Sequence, residues 1–307
     1  MKRIFKDIVF VAIFLLLLGI CSDIFVLKGN GYGSDVWSFY ELKRNSLDVV
    51  FLGSSHSYAS FSPEVIEKQA GLKSYNFATQ QQPMSITYYY MREALKRHQL
   101  QTIVLEARML TVDDAFMKEG VVRDALDKMP LSFNKLRAIN ASVEKPQDRV
   151  SYYLNIIKYH NRYDRLNKND IASGILRNGI DNNGFKALES KLDIWNDNKE
   201  ILKIEEKQEI SDKNLFYLEK IVNLANERGI RLIIVKSPCL LAAKERKNLN
   251  WVEQYATERG IEFIDYNERV EELGLIAGDY YDKGHLSAKG AEKVSVDVAK
   301  YLIADQQ

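Results

Sequence analysis

Five short apolar runs, separated by segments with helical spacing, constrain the fold of this chain more than any other feature of its sequence. Each run has the length of a buried strand. Parallel strands need a long crossover between them, usually a helix, so strands that alternate with helices predict a parallel sheet. We therefore predict an α/β protein with a five-stranded parallel sheet in a three-layer α/β/α arrangement. The predicted strands are 49–52, 74–78, 102–106, 231–235 and 261–265.

Helices between these strands carry their own start and stop signals. Ser62 followed by Pro63 gives an N-cap and a proline at the first helical position, which predicts a helix over 63–70. Gly229 predicts the end of a helix over 212–228, because glycine readily adopts the left-handed conformation that ends helices.

The N-terminus contains an apolar run over 8–27 that is long enough to cross a bilayer as a helix. Lys2, Arg3 and Lys6 precede it, and the positive-inside rule then places the N-terminus in the cytoplasm and the rest of the chain outside. A cleaved signal peptide is the competing interpretation, and Leu18-Gly19-Ile20-Cys21 loosely resembles a lipoprotein box. We favour an uncleaved anchor in the cell membrane.

The remaining chain divides by composition. Residues 1–28 form the predicted cytoplasmic stub and transmembrane helix, and 29–47, rich in Gly, Ser and aromatic residues, a juxtamembrane tether. We predict that residues 48–307 form the main folded domain. Within it, 111–211 is polar, rich in tyrosine and helical in tendency, and we predict a helical insertion that caps the sheet edge.

Composition excludes several classes of function. A net charge of +1 gives no basic footprint for a nucleic-acid partner. The two cysteines, Cys21 and Cys239, do not provide a disulfide framework, since Cys21 lies within the apolar run. The four histidines form no metal-binding motif, so we predict neither a metal nor another cofactor.

Catalytic residue types occur at two distant places in the sequence. Ser55 follows the first predicted strand directly, at the sheet edge where open α/β sheets bind ligands. Asp282 and His285 lie in a loop before the last predicted helix. If the two places meet, His285 can accept the serine proton and Asp282 can orient the imidazole. The alternatives are that Ser55 is a turn residue and that Asp282 and His285 cap the last helix.

These two motifs resemble those of the SGNH/GDSL hydrolase superfamily. Gly53-Ser54-Ser55 is similar to its first block, with Ser54 in place of the usual Asp, and Asp282-Lys283-Gly284-His285 is similar to its DxxH block. The resemblance covers roughly 48–106 and 212–303. It implies a serine hydrolase fold in which Ser55, Asp282 and His285 are the catalytic residues.

This chain differs from the superfamily pattern at two other sequence blocks, the second and the third. In that superfamily, a Gly of the second block contributes to the oxyanion hole. At the corresponding position this chain has Gln80 or Gln81 instead. A backbone N–H or a Gln amide at this place can still bind an oxyanion. The third-block Asn is missing from 106–110.

The anchor, the insertion and these departures together resemble membrane-tethered SGNH-like proteins of cell-surface polymer acylation. Their families include the D-alanyl transfer protein of teichoic acid export and the alginate-type O-acetylation proteins. This resemblance implies a multipass membrane-bound O-acyltransferase as partner. It also implies a serine O-acyltransferase or esterase that acts on acetyl or D-alanyl esters of a surface polysaccharide or teichoic acid. Two alternatives stay open: a non-catalytic adaptor that holds a polymer or the acyltransferase, and a soluble secreted esterase.

Overall fold

The computed structural model describes residues 2–27, 36–112, 116–168, 170–171, 182–190 and 198–304. Its centre is a five-stranded, fully parallel sheet, which confirms the predicted α/β class. Every strand lies within one residue of its predicted bounds. The strand order is β2-β1-β3-β4-β5. The strands are β1 Val49–Gly53, β2 Ser74–Ala78, β3 Thr102–Glu106, β4 Arg231–Lys236 and β5 Glu262–Asp265.

Strand β1 lies inside the sheet, with β2 and β3 on its two sides. Its last residue, Gly53, is opposite Ala78, and Leu52 is opposite both Phe77 and Leu105. The carboxyl ends of the three strands therefore reach the same edge of the sheet together. This edge is where open parallel sheets place their ligands.

Helices cover both faces of the sheet. Val49 and Phe51 face one apolar core, which α4 and α13 complete. Val50 and Leu52 face the other core, with α5, α11 and α12. The helices in the described part of the chain are α1 Lys2–Leu27, α2 Val36–Glu41, α3 Ser55–Tyr58, α4 Pro63–Ala70, α5 Met84–Arg97, α6 Glu119–Leu126, α7 Phe133–Ser142, α8 Val150–Tyr153, α9 Asn155–Tyr159, α10 Lys199–Leu202, α11 Asp212–Arg228, α12 Ala243–Glu258 and α13 Ala288–Ile303.

The second half of the predicted tether is part of the folded domain. Val36 and Phe39 of α2 are fully buried, and the Phe39 ring stacks on Phe77 with 3.9 Å between the centroids. Arg97 donates hydrogen bonds to the carbonyls of Tyr40 and Leu42, which fasten this segment to the end of α5. Residues 29–35 of the tether lie outside the described residues.

Helix α1 is long and apolar enough to cross a bilayer. Its segment Ile4–Val26 has a mean hydropathy of 2.8, and the apolar side chains along it are largely exposed. It is the one helix of this kind in the part of the chain that the structure describes. The predicted orientation of this helix stays a prediction.

The described part of the predicted insertion contains several helices, and Asp124 of α6 accepts a hydrogen bond from the backbone N–H of Gln80 in the loop after β2. Helix α7 packs against α5, and α9 packs against α1. The short segment 182–190, which is not helical, lies beside the edge strand β2. It bonds to Asn76 of β2, Tyr58 of α3 and Ala288 of α13 through backbone hydrogen bonds. That segment therefore spans from the edge strand to the start of the last helix.

Candidate active site

Ser55 begins the single helical turn α3 immediately after β1. Between them Gly53 has a φ of +142°, a conformation that side chains of L-residues rarely adopt. A Cβ on Gly53 would also lie 2.9 Å from the Cβ of Glu106, so glycine is needed for two reasons. The sharp turn ends the strand and directs the chain into α3. Ser55 is buried there, with 7% of its surface exposed.

His285 lies in a loop that is folded around Asp282. The Asp282 carboxylate accepts hydrogen bonds from the backbone N–H groups of Gly284, at 2.7 Å, and His285, at 2.8 Å. A β-bridge between Tyr280 and Leu286 closes the loop at its base. Turns of this kind are stabilised by short polar side chains that accept hydrogen bonds from backbone N–H groups two or three residues later in the chain. Asp282 therefore shapes the loop that carries the histidine.

The structure brings Ser55, His285 and Asp282 together, as the sequence predicted. Nε2 of His285 lies 2.8 Å from Oγ of Ser55. Nδ1 of His285 lies 2.9 Å and 3.1 Å from the two carboxylate oxygens of Asp282. Ser55 and His285 are 230 positions apart in the sequence, so this contact comes from the tertiary fold alone.

This chain of hydrogen bonds has the arrangement that activates a serine. A carboxylate that accepts from Nδ1–H leaves the Nε2 lone pair free to take the hydroxyl proton. The two alternative interpretations account for less of the geometry. Asp282 does satisfy backbone groups of its own loop, but the ring of His285 is hydrogen-bonded to Asp282 and Ser55.

His56, the neighbour of Ser55, packs beside the histidine of this arrangement. The sequence predicted a pocket or packing residue, because adjacent side chains on a strand or turn point apart. The centroids of the His56 and His285 rings are 5.0 Å apart. Burial, with Lys236, His285 and Arg108 nearby, lowers the pKa of the His56 imidazole well below its ordinary value. His56 is therefore neutral at physiological pH.

The two glutamines predicted for the oxyanion hole are exposed in the loop after β2. The backbone N–H of Gln80 donates to the Asp124 carboxylate, and Gln81 has a φ of +47°. No described hydrogen bond brings either side chain to Ser55. The glutamine that is built into this loop is Gln82, which accepts from Thr79 at 3.0 Å and donates to Thr87 at 3.1 Å. The contribution of Gln80 or Gln81 to an oxyanion hole stays a prediction.

A buried polar network behind Ser55 was not predicted from the sequence. Ser237 donates from its hydroxyl to Glu106 at 2.9 Å and contacts the carbonyl of His56 at 3.4 Å. The fully buried ammonium of Lys236 lies 3.7 Å from Glu106 and 3.8 Å from Glu245. The signal in the sequence is that β3 and β4 each end in a charged residue after an apolar run. This network joins the ends of β3 and β4 to the backbone that carries the serine.

Neither the family models nor the curated proteins compared with this chain match it. Its function is therefore argued from the site.

Proposed function

We propose that this chain is a membrane-anchored, extracytoplasmic serine acyltransferase or esterase of the SGNH type. Its substrates are acyl esters, acetyl or D-alanyl, of a cell-surface polysaccharide or teichoic acid. The observation that carries the proposal is the continuous set of hydrogen bonds from Ser55 through His285 to Asp282.

The proposed reaction has two balanced steps. In the first, Oγ of Ser55 bonds to the acyl carbonyl carbon and its proton passes to Nε2 of His285. The bond to the departing alcohol then breaks, and His285 returns the proton to that alcohol. In the second step, water or a polymer hydroxyl loses its proton to His285 and attacks the carbonyl carbon of the acyl-serine. The bond to Oγ of Ser55 then breaks, and His285 returns the proton to that oxygen. Hydrolysis and transfer differ only in this second nucleophile.

In the transition state, negative charge develops on the carbonyl oxygen of the substrate, and hydrogen-bond donors close to that oxygen stabilise it. Ser55 opens α3, and the first N–H groups of a helix have no acceptor within the helix. The backbone N–H of Ser55 is accordingly our first candidate for the oxyanion hole. A second donor from the 79–82 loop completes it, because Ala78 at the end of β2 lies opposite Gly53.

The apolar helix α1 supports the membrane part of the proposal. An enzyme held at the outer surface by such an anchor stays close to polymers that are exported there. The activated acyl group must cross the bilayer to reach it, which is the role we assign to a multipass membrane-bound O-acyltransferase partner.

Labelling with a fluorophosphonate probe tests this function on the full-length chain in detergent micelles. The proposal predicts an adduct on Ser55 that is abolished in Ser55→Ala. Ser54→Ala is the matched control, because Ser54 is the adjacent buried hydroxyl and should leave labelling intact. The absence of any adduct that depends on Ser55 would contradict the enzymatic proposal and favour the non-catalytic adaptor.

A further inference from the structure

His56 is a buried polar side chain that the reaction above does not use. Only 7% of the residue is exposed, and its Nδ1 is buried without a hydrogen-bond partner. None of the described hydrogen bonds ends on its Nε2 either. Buried polar atoms in folded proteins almost always have a partner, so an unpaired imidazole beside a candidate active site needs an explanation.

The surroundings of His56 show which side of the site it belongs to. Its ring packs beside the His285 ring, and its Nε2 lies 3.7 Å from the point where a Cβ on Gly284 would be. Asp282 Oδ1 lies 3.5 Å from that same point. His56 thus borders the loop that holds Asp282 and His285. Glycine at position 284 leaves room for about one methyl group between His56 and Asp282.

The side of the site next to His285 is where an alcohol must bind. Whichever alcohol departs or attacks has to exchange its proton with Nε2 of His285, within hydrogen-bonding distance. A neutral imidazole can donate one hydrogen bond and accept another, which matches a hydroxyl group. A second cation at this place would oppose the imidazolium that forms on His285, and the burial of His56 keeps it uncharged.

We propose that His56 binds the alcohol partner of the reaction, the departing alcohol in the first step and the accepting hydroxyl in the second. This inference rests on the proposed function and gives it a specificity residue for hydroxyl-bearing partners such as glycerol or a sugar. The bonds that form and break are those of the proposed two-step reaction, because His56 exchanges no proton with the solvent or with His285.

Two acetyl esters separate this role from a structural one. 4-Nitrophenyl acetate loses its phenolate as an anion, whereas glycerol triacetate loses an alcohol that must be protonated and positioned. His56→Leu should lower kcat/KM for glycerol triacetate about tenfold, the effect of one lost hydrogen bond in a buried site. The kcat/KM for 4-nitrophenyl acetate and the rate of fluorophosphonate labelling should change by no more than about threefold.

Two further variants distinguish a selective loss of activity from a folding defect. His56→Gln keeps a polar amide and should recover part of the activity on glycerol triacetate. Gly284→Ala keeps the imidazole but places a methyl group against its Nε2, so it should reproduce the selective loss of His56→Leu.

The outcomes distinguish the two proposals. Equal losses on both esters, no loss on either, or a labelled wild-type chain that does not cleave glycerol triacetate would overturn the role of His56. In each of those cases the labelled Ser55 would leave the proposed function standing. A wild-type chain that is not labelled on Ser55 would instead overturn the function itself.

Discussion

At the residue scale, the Asp282 carboxylate has two roles, since it holds the backbone of its own loop and accepts from the ring of His285. Asp282→Asn replaces one acceptor oxygen with an amide donor and favours the wrong tautomer of His285. We expect the rate of fluorophosphonate labelling to fall by about 10²- to 10⁴-fold.

Lys283→Ala is the control for Asp282→Asn, because it changes an exposed side chain of the same loop. Its labelling rate should stay close to that of the wild-type chain. Wild-type labelling in Asp282→Asn would show that the carboxylate does not orient the histidine.

The titration of buried His98 should make the stability of the fold depend on pH. It lies at the end of α5, accepts from the backbone N–H of Ser46 at 3.3 Å, and has an Nε2 that is buried without a partner. Burial, with Arg97 and Arg44 nearby, lowers the pKa of His98 to about 4. An unfolded chain has a histidine pKa of about 6.5 and takes up a proton first as the pH falls. Acidification from pH 6.5 to 4.5 should therefore favour unfolding.

Thermal unfolding at several pH values checks this prediction with His98→Gln. The variant lacks the titrating ring, so its Tm should fall less steeply between pH 6.5 and 4.5 than that of the wild-type chain. Equal slopes of Tm against pH for the variant and the wild-type chain would contradict the assignment of this pH dependence to His98.

At the element scale, the turn from β1 into α3 depends on Gly53. Gly53→Ala adds both an unfavourable φ and a close contact with Glu106. Overpacking in a core costs about 1–3 kcal/mol, to which the strained backbone adds about 1 kcal/mol. We expect a decrease of about 2–4 kcal/mol in the free energy of unfolding, and loss of labelling because Ser55 is displaced.

Gly71→Ala is the matched control for the turn at Gly53. Gly71 also has a positive φ, +71°, but a Cβ there would meet no atom within 4 Å. Its cost should be only the backbone part, about 1 kcal/mol in urea denaturation. Equal costs for the two variants would contradict the role of the contact with Glu106.

Local patterns explain which elements could be predicted from the sequence. The five strands are continuous buried runs, and helices such as α4 have an N-cap at Ser62 and an αL glycine at Gly71. Helix α2 could not be predicted, because six residues carry no periodicity and Phe39 is buried by tertiary contacts with the rings of Tyr75, Phe77 and His98. The one-turn helix α3 is likewise too short for a pattern.

The candidate site shows the same division. Ser55, Asp282 and His285 could be predicted because each belongs to a short motif next to a recognisable strand or helix. The placement of His56 could not, since it depends on α3 being a helical turn rather than a strand or an open turn. The network around Glu106 and Lys236 joins different strands, and pairings of this kind come from tertiary packing.

At the scale of the whole molecule, the apolar helix α1 is in contact with the domain through the helical insertion. Val26 near the C-terminal end of α1 is buried, and Arg162 donates to the carbonyl of Phe25 at 2.8 Å. The Arg162 guanidinium also lies over the ring of Tyr159, 4.0 Å from its centroid. These contacts hold the domain against the C-terminal end of α1.

Thiol labelling measures this contact in the full-length chain in lipid nanodiscs. In a Cys21→Ser background, Val26→Cys should react slowly with a maleimide, and adding Arg162→Ala should raise the rate severalfold. Arg165→Ala is the matched control, because its side chain is 77% exposed and makes only a loose ion pair with Asp164. Fast reaction without the Arg162 substitution would show that the contact does not form in a bilayer.

At the same scale, mass spectrometry detects the proposed acyl-enzyme directly. The full-length chain is incubated with 4-nitrophenyl acetate, quenched in acid and digested, and the acetylated peptide is sequenced. The account predicts an acetyl group on Ser55 that is present in the wild-type chain and in Ser54→Ala and absent from Ser55→Ala. An acetyl group that persists in Ser55→Ala, or one that maps to another residue, would contradict it.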